Sequence, residues 1–114
     1  MLLKKYRLKK SGDIKGVLKF GRTDREGFLI LKTRENNLGV SRFAFLISLK
    51  VSKKATVRNR LKRKLSEFVR LNLPKIKNNI DAVLIVASDF SKKDDKETGE
   101  LISKLFIRAK LYVG

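Results

Sequence analysis

The sequence predicts an α+β layer fold, and three observations carry that prediction. Helical and strand periodicities follow one another in the order helix, two or three strands, helix, strand, helix. Hydrophobic residues fill 42% of the 114 positions, enough for a core in a chain whose length suits one domain, 1–114, with 1–10 as a basic arm. No repeat, linker or low-complexity segment interrupts that order.

In the arm, Tyr6 and Leu8 are the large apolar anchors after Leu3. Ser11-Gly12-Asp13 offers capping oxygens to a short helix, whose apolar residues Ile14, Val17 and Leu18 recur at helical spacing. Gly21 stands where a C-terminal glycine would end it. Phe28-Leu29-Ile30-Leu31-Lys32-Thr33 reads as a strand and Val40 to Leu49 as another, with Asn36-Asn37-Leu38-Gly39 between them as turn chemistry. Together they suggest an antiparallel hairpin. Val57, Leu61, Leu65 and Phe68 then mark one face of a helix within Lys53 to Asn72, which Leu73-Pro74 ends. Ala82 to Ala87 is an apolar run of strand length, buried on both faces or central in its sheet. Asp94-Asp95-Lys96-Glu97 places acids at the opening of a last helix, whose apolar face is Leu101, Ile102, Leu105, Phe106 and Ala109. Phe28, Phe43, Phe45 and Phe106 read as core, while Tyr6 and Phe20 are open to two readings, anchors or exposed stacking groups.

Composition excludes several chemistries. With neither Cys nor His, the chain lacks disulfides, thiolate or imidazole zinc ligands, a cysteine nucleophile and the usual imidazole base. The longest apolar runs, Phe28 to Leu31 and Phe43 to Ile47, are too short to span a membrane, and the N-terminus lacks the apolar stretch of a signal peptide. A cytoplasmic protein is expected.

Charge supplies the positive evidence. Lys and Arg number 29 against 11 Asp and Glu, a formal net charge of +18. Such an imbalance destabilises the compact state by self-repulsion, and a polyanion partner is the usual reason to carry it. The charge is also clustered. Nine basic residues lie between Lys50 and Arg70 against the single acid Glu67, and seven between Lys4 and Lys19 against Asp13. The stretch from Asp81 to Glu100 runs slightly acidic. Clustering favours a nucleic-acid site over general solubility. On the helix itself, Arg58 and Lys62 flank the apolar stripe on one side, Arg60 and Lys64 on the other, and Arg63 points away. Arginine grips phosphate through a planar fork, so this helix forms a ladder for a folded phosphate backbone, with Asn59 free to bond backbone or sugar hydroxyl. A solvated face stabilised by pairing is the alternative, yet only Glu67 stands within reach, of Arg63.

Lys53-Lys54-Ala55-Thr56-Val57-Arg58-Asn59-Arg60-Leu61-Lys62-Arg63 resembles the Arg-Asn-Arg signature of the bacterial ribonuclease P protein subunit. Arg7-Leu8-Lys9-Lys10 with Asp13-Ile14 and Val17-Leu18, Ser48 to Lys54, and Asp81 to Ala87 extend the resemblance over nearly the whole chain. It implies a two-layer α/β sandwich with a four-stranded mixed sheet, about three helices and a left-handed strand–helix–strand crossover, against the general preference for right-handed ones. It implies a partner, the catalytic RNA, which holds Mg²⁺ and hydrolyses the phosphodiester that frees the mature 5′ end of tRNA. The protein then contributes no catalytic residue and no metal ligand. Carried over by position, the RNA-docking set is Lys50, Lys53, Lys54, Arg58, Asn59, Arg60, Lys62 and Arg63. The set for the 5′ leader of precursor tRNA is Ile14, Leu18, Leu29, Leu31 and Ser48, with Lys10 and Lys15 nearby. The family commonly carries aromatic residues at the positions of Ile14, Leu18 and Leu31, so charge is expected to carry more of the leader affinity here. For Ile14 and Leu18, helical spacing supports core packing and cleft lining equally.

Three rivals remain. A ribosomal or other structural RNA-binding protein shares the size and charge. A DNA-binding regulator would need mixed polar base readers where this helix offers phosphate binders, so no DNA partner is expected. A protein-only nuclease would need an acidic metal cluster, for which Asp94, Asp95, Glu97 and Glu100 are the nearest candidates, but a capped helix start explains them better.

Overall fold

The apolar run at 82–87 becomes the centre of the sheet. In the computed structural model, which describes residues 2–90 and 92–113, it forms strand β4 (Ile80–Val86), flanked by β2 (Leu29–Glu35) and β3 (Arg42–Ile47). An edge strand, β1 (Arg22–Glu26), completes the order β1-β2-β4-β3. β4 pairs antiparallel with β2 and parallel with β3, so the sheet is mixed. Helix α1 (Ser11–Phe20) precedes β1, α2 (Ala55–Asn72) connects β3 to β4, and α3 (Asp95–Arg108) follows β4. The fold is α+β, with three helices on a four-stranded sheet.

The hairpin expected between the Phe28 and Val40 runs is therefore not formed. β4, with Ala82, Val83 and Leu84 buried, inserts between β2 and β3, because only a central strand buries both of its faces. The actual hairpin joins β1 to β2 through Gly27, which adopts φ +57°. Arg22-Thr23-Asp24-Arg25-Glu26 is polar at every position and shows no alternation to betray a strand. Charge on an edge strand instead discourages pairing with another chain.

Strand alternation sends side chains to two unequal cores. Leu29, Leu31, Phe43, Ala82, Leu84 and Val86 pack with Leu61, Leu65 and Val69 of α2 and Ile102, Leu105 and Phe106 of α3. On the opposite face, Ala44 and Val83 pack with Val17 of α1 and Leu8 of the arm, with Ile14, Leu18, Leu46 and Ile85 half-buried around them. Phe28, Phe43 and Phe106 are buried as expected, Phe28 stacked on Phe90 with ring centroids 4.7 Å apart.

The arm is docked. Leu2 and Leu8 are its buried anchors and Leu3 is exposed, while the Leu8 amide donates to the Phe43 carbonyl at 2.9 Å along the outer edge of β3. No side chain caps α1. Asp13 instead lies 3.6 Å from Arg42, whose guanidinium forks onto Asp81 at 2.9 and 2.7 Å. That carboxylate–arginine–carboxylate row ties the first turn of α1 to the sheet. Gly21 ends α1 for a reason other than a left-handed cap: its φ is −75°, and a Cβ there would lie against the Val17 carbonyl oxygen and 2.8 Å from that of Thr33. At α3 the expected cap is formed, Asp94 accepting from the Glu97 amide at 2.7 Å.

Candidate nucleic-acid interface

Cations of the predicted docking set converge on one continuous segment. Lys50, Lys53 and Lys54 are exposed in the loop between β3 and α2, and Asn59, Arg60, Lys62 and Arg63 are exposed along α2. Arg58 is different. Half-buried, it donates from Nη1 to the Ser52 carbonyl at 2.9 Å and so closes the basic loop onto the helix. Glu67 pairs with Arg70, one turn on, where Nε donates at 3.0 Å. That hydrogen bond holds the Glu67 carboxyl below its usual range and raises the Arg70 guanidinium above its own. The one acid of the segment is thus directed towards the far end of the helix, leaving Arg60, Lys62 and Arg63 towards solvent.

The second predicted set divides. Ile14 and Leu18 are half-buried against the smaller core, so each both packs and borders solvent. Lys10 is exposed beside the start of α1, Lys15 on its outer face, and Ser48 just beyond β3. Leu29 and Leu31 do not belong with them. Both are 0% exposed and sealed under α2 and α3, on the opposite face of the sheet from α1. The reason is parity: alternate strand residues face opposite ways, so the α1 side of β2 carries Ile30, Lys32 and Arg34.

Register shows what lies beside α1 instead. Arg25 of β1, Ile30 of β2, Ile85 of β4 and Leu46 of β3 are successive cross-strand partners, forming a row across all four strands. Ile30, Ile85 and Leu46 are half-buried, and Arg25 at the end of the row is exposed. With Ile14 and Leu18 they make an open apolar strip, with Lys32 in the next row, its Nζ 2.9 Å from Thr23 Oγ1. The strip reaches Ser48 and the basic loop at its β3 end. Sequence reasoning missed Ile30, Leu46, Ile85, Arg25 and Lys32. The signal was present, since Lys32 and Arg34 mark the water-facing parity of β2, but the unbroken run Phe28 to Leu31 hid it.

Two of the acids considered for a metal have other roles. Asp94 caps α3 and Asp95 lies 3.5 Å from Lys64. Among the described residues no three or more of Asp, Glu, His and Cys come together as a set fit to hold an ion. Among the same residues no helix is long and apolar enough to cross a membrane.

Comparison with known proteins decides the family. Residues 2–110 match the family model described as Ribonuclease P. The chain belongs to the ribonuclease P protein family. It is 32% identical to the ribonuclease P protein component of Thermoanaerobacter sp. (strain X514), covering 100% of this chain and 97% of that one. It is 34% identical to the component from Clostridium kluyveri, over 94% of this chain and 96% of the relative. Its fold superposes on the RNase P protein from Thermotoga maritima with a TM-score of 0.81 at 28% identity, covering 90% and 96% of the two chains. Ribonuclease P proteins are components of the ribonucleoprotein that processes tRNA 5′ ends, and the resemblance read from Arg58-Asn59-Arg60 is thereby established for the chain as a whole.

Proposed function

We propose that this protein binds the catalytic RNA of a bacterial ribonuclease P through α2 and its basic loop, and the 5′ leader of precursor tRNA along the strip beside α1. The single observation behind the reading is adjacency: the loop from Ser48 to Lys54 joins the end of the strip to the start of the cationic helix. A strand leaving the RNA-bound site can therefore continue through the basic loop onto the apolar strip, with cations on either side of its path.

In this reading the leader contacts are Ile14, Leu18, Ile30, Leu46 and Ile85, with Lys10, Lys15, Arg25, Lys32 and Ser48 around them, and without Leu29 and Leu31. Aliphatic side chains supply less stacking than aromatic platforms, so the surrounding cations hold phosphates and carry more of the affinity. The RNA subunit holds Mg²⁺ and activates the attacking water, while the protein positions substrate and screens phosphate repulsion. The work is cytoplasmic.

The test is reconstitution. Added to ribonuclease P RNA at Mg²⁺ concentrations too low for the RNA alone, the protein should restore cleavage of precursor tRNA. It should also bind precursor more tightly with a leader than without. Tight RNA binding with no restored cleavage would instead favour a structural RNA-binding protein.

A further inference from the structure

We propose that Phe20 and the basic concavity beside it form a second nucleic-acid contact, taking one unpaired nucleotide of RNA, its base on the ring and its phosphates in the concavity. This site is separate from both contacts described above. Successive helix positions place Phe20 on the flank of α1 opposite Ile14 and Leu18, over the β2 end that carries Arg34.

Two independent observations meet there. First, Phe20 is 66% exposed in a chain whose Phe28, Phe43, Phe90 and Phe106 are buried. Lys19 Nζ and the Arg34 guanidinium each lie 5.3 Å from its ring centroid, so the platform is already bordered by positive charge. Second, Arg34 also lines a concavity of about 320 Å³ shared with Arg22, Lys77 and Lys110, against one acid, Glu35. Arg22 is partly engaged, 3.2 Å from Asp24. Lys77 and Lys110 are exposed and make no ion pair among the described residues. An exposed ring bordered by a cation-lined hollow, with Arg34 shared between the two, is how proteins hold single strands without reading their sequence. A protein partner would have to bring acids to match these cations and an apolar group for the ring; an RNA nucleotide carries both in one unit.

The chain contains no Trp, so Phe20→Trp introduces a single indole reporter. In the intact protein, titration with a short oligo(A) RNA should quench that indole saturably, because stacking places a base on its face. Adding Lys77→Glu should weaken the titration about tenfold and flatten its salt dependence by about 0.7 for each phosphate no longer neutralised. Phe20→Ala should weaken oligo(A) binding, read by fluorescence anisotropy, while assembly with the catalytic RNA stays unchanged. An indole whose emission does not move at oligo(A) concentrations that saturate the anisotropy overturns the proposal. So does a titration indifferent to Lys77→Glu. Failure of the protein to restore precursor cleavage would sink the proposed function and leave the quenching intact, so the two can fail separately.

Discussion

Gly21 shows how a correct expectation can rest on a different physical cause. The sequence places Gly21 where α1 stops, as a left-handed cap, yet its backbone is extended and its role is to let the Thr33 carbonyl approach. Gly21→Ala should therefore destabilise the fold by about 1–3 kcal/mol through overpacking against backbone that has little room to move, read as a lower urea midpoint. Lys110 is the converse. It takes φ +58° at the end of α3, where the Leu111 amide bonds the Phe106 carbonyl and the Lys110 amide that of Ile107, each at 3.0 Å. This is the position glycine normally fills. Relief of left-handed strain exceeds the extra chain entropy of glycine, so Lys110→Gly should stabilise by about 0.5–1 kcal/mol, seen as a higher melting temperature. Arg42, by contrast, needs no relief: its hydrogen bonds to Asp81 raise its pKa above the ordinary arginine value, so its hold on Asp13 is insensitive to alkaline titration.

At the scale of elements, the helices and the central strand were legible, and the pairing of the other strands was not. α2 and α3 declare themselves because a helix writes its buried face at a spacing of three and four, and Val57 to Phe68 and Leu101 to Ala109 do so without interruption. The basic set on α2 follows from the same spacing, including Arg63 on the outer face. Strand pairing has no such signature. A polar edge strand, Arg22–Glu26, looks like loop, and the position of β4 depends on contacts across most of the chain. The leader set inherits that weakness, since in an unbroken apolar run either parity of β2 looks buried. The two parities make opposite predictions. Leu31→Ala should cost about 2–5 kcal/mol of stability with no change specific to the leader, because its side chain is wholly within the core. Ile30→Ala should cost about 1 kcal/mol and narrow the difference in affinity between precursor with and without a leader. Denaturant midpoints and paired binding measurements separate the two, and a leader-specific loss from Leu31→Ala alone would return the cleft to the other parity.

For the whole molecule the decisive quantity is the distribution of charge rather than its total. A net +18 draws any polyanion, but only groups that reach phosphates without first breaking a native contact register as counterion release. That criterion separates members of the docking set. Arg58 already holds the Ser52 carbonyl, so its removal loosens the basic loop as well as any RNA contact, and its effect is not a clean measure of either. Arg60, Lys62 and Arg63 are exposed on α2 outside the apolar stripe, and replacing them should leave folding within about 0.5 kcal/mol of the parent. The triple substitution to Ala should flatten the dependence of catalytic-RNA affinity on salt by about 0.7–0.9 for each phosphate left without its cation, about 2–3 in all. Affinity should fall most at low salt and converge with the parent as salt rises, since the missing attraction is ionic. Titrations of the RNA subunit across a range of potassium concentrations provide the measurement. Parallel lines for the parent and the triple variant would mean that α2 faces solvent in the assembled particle and that the arm and α1 carry the docking instead.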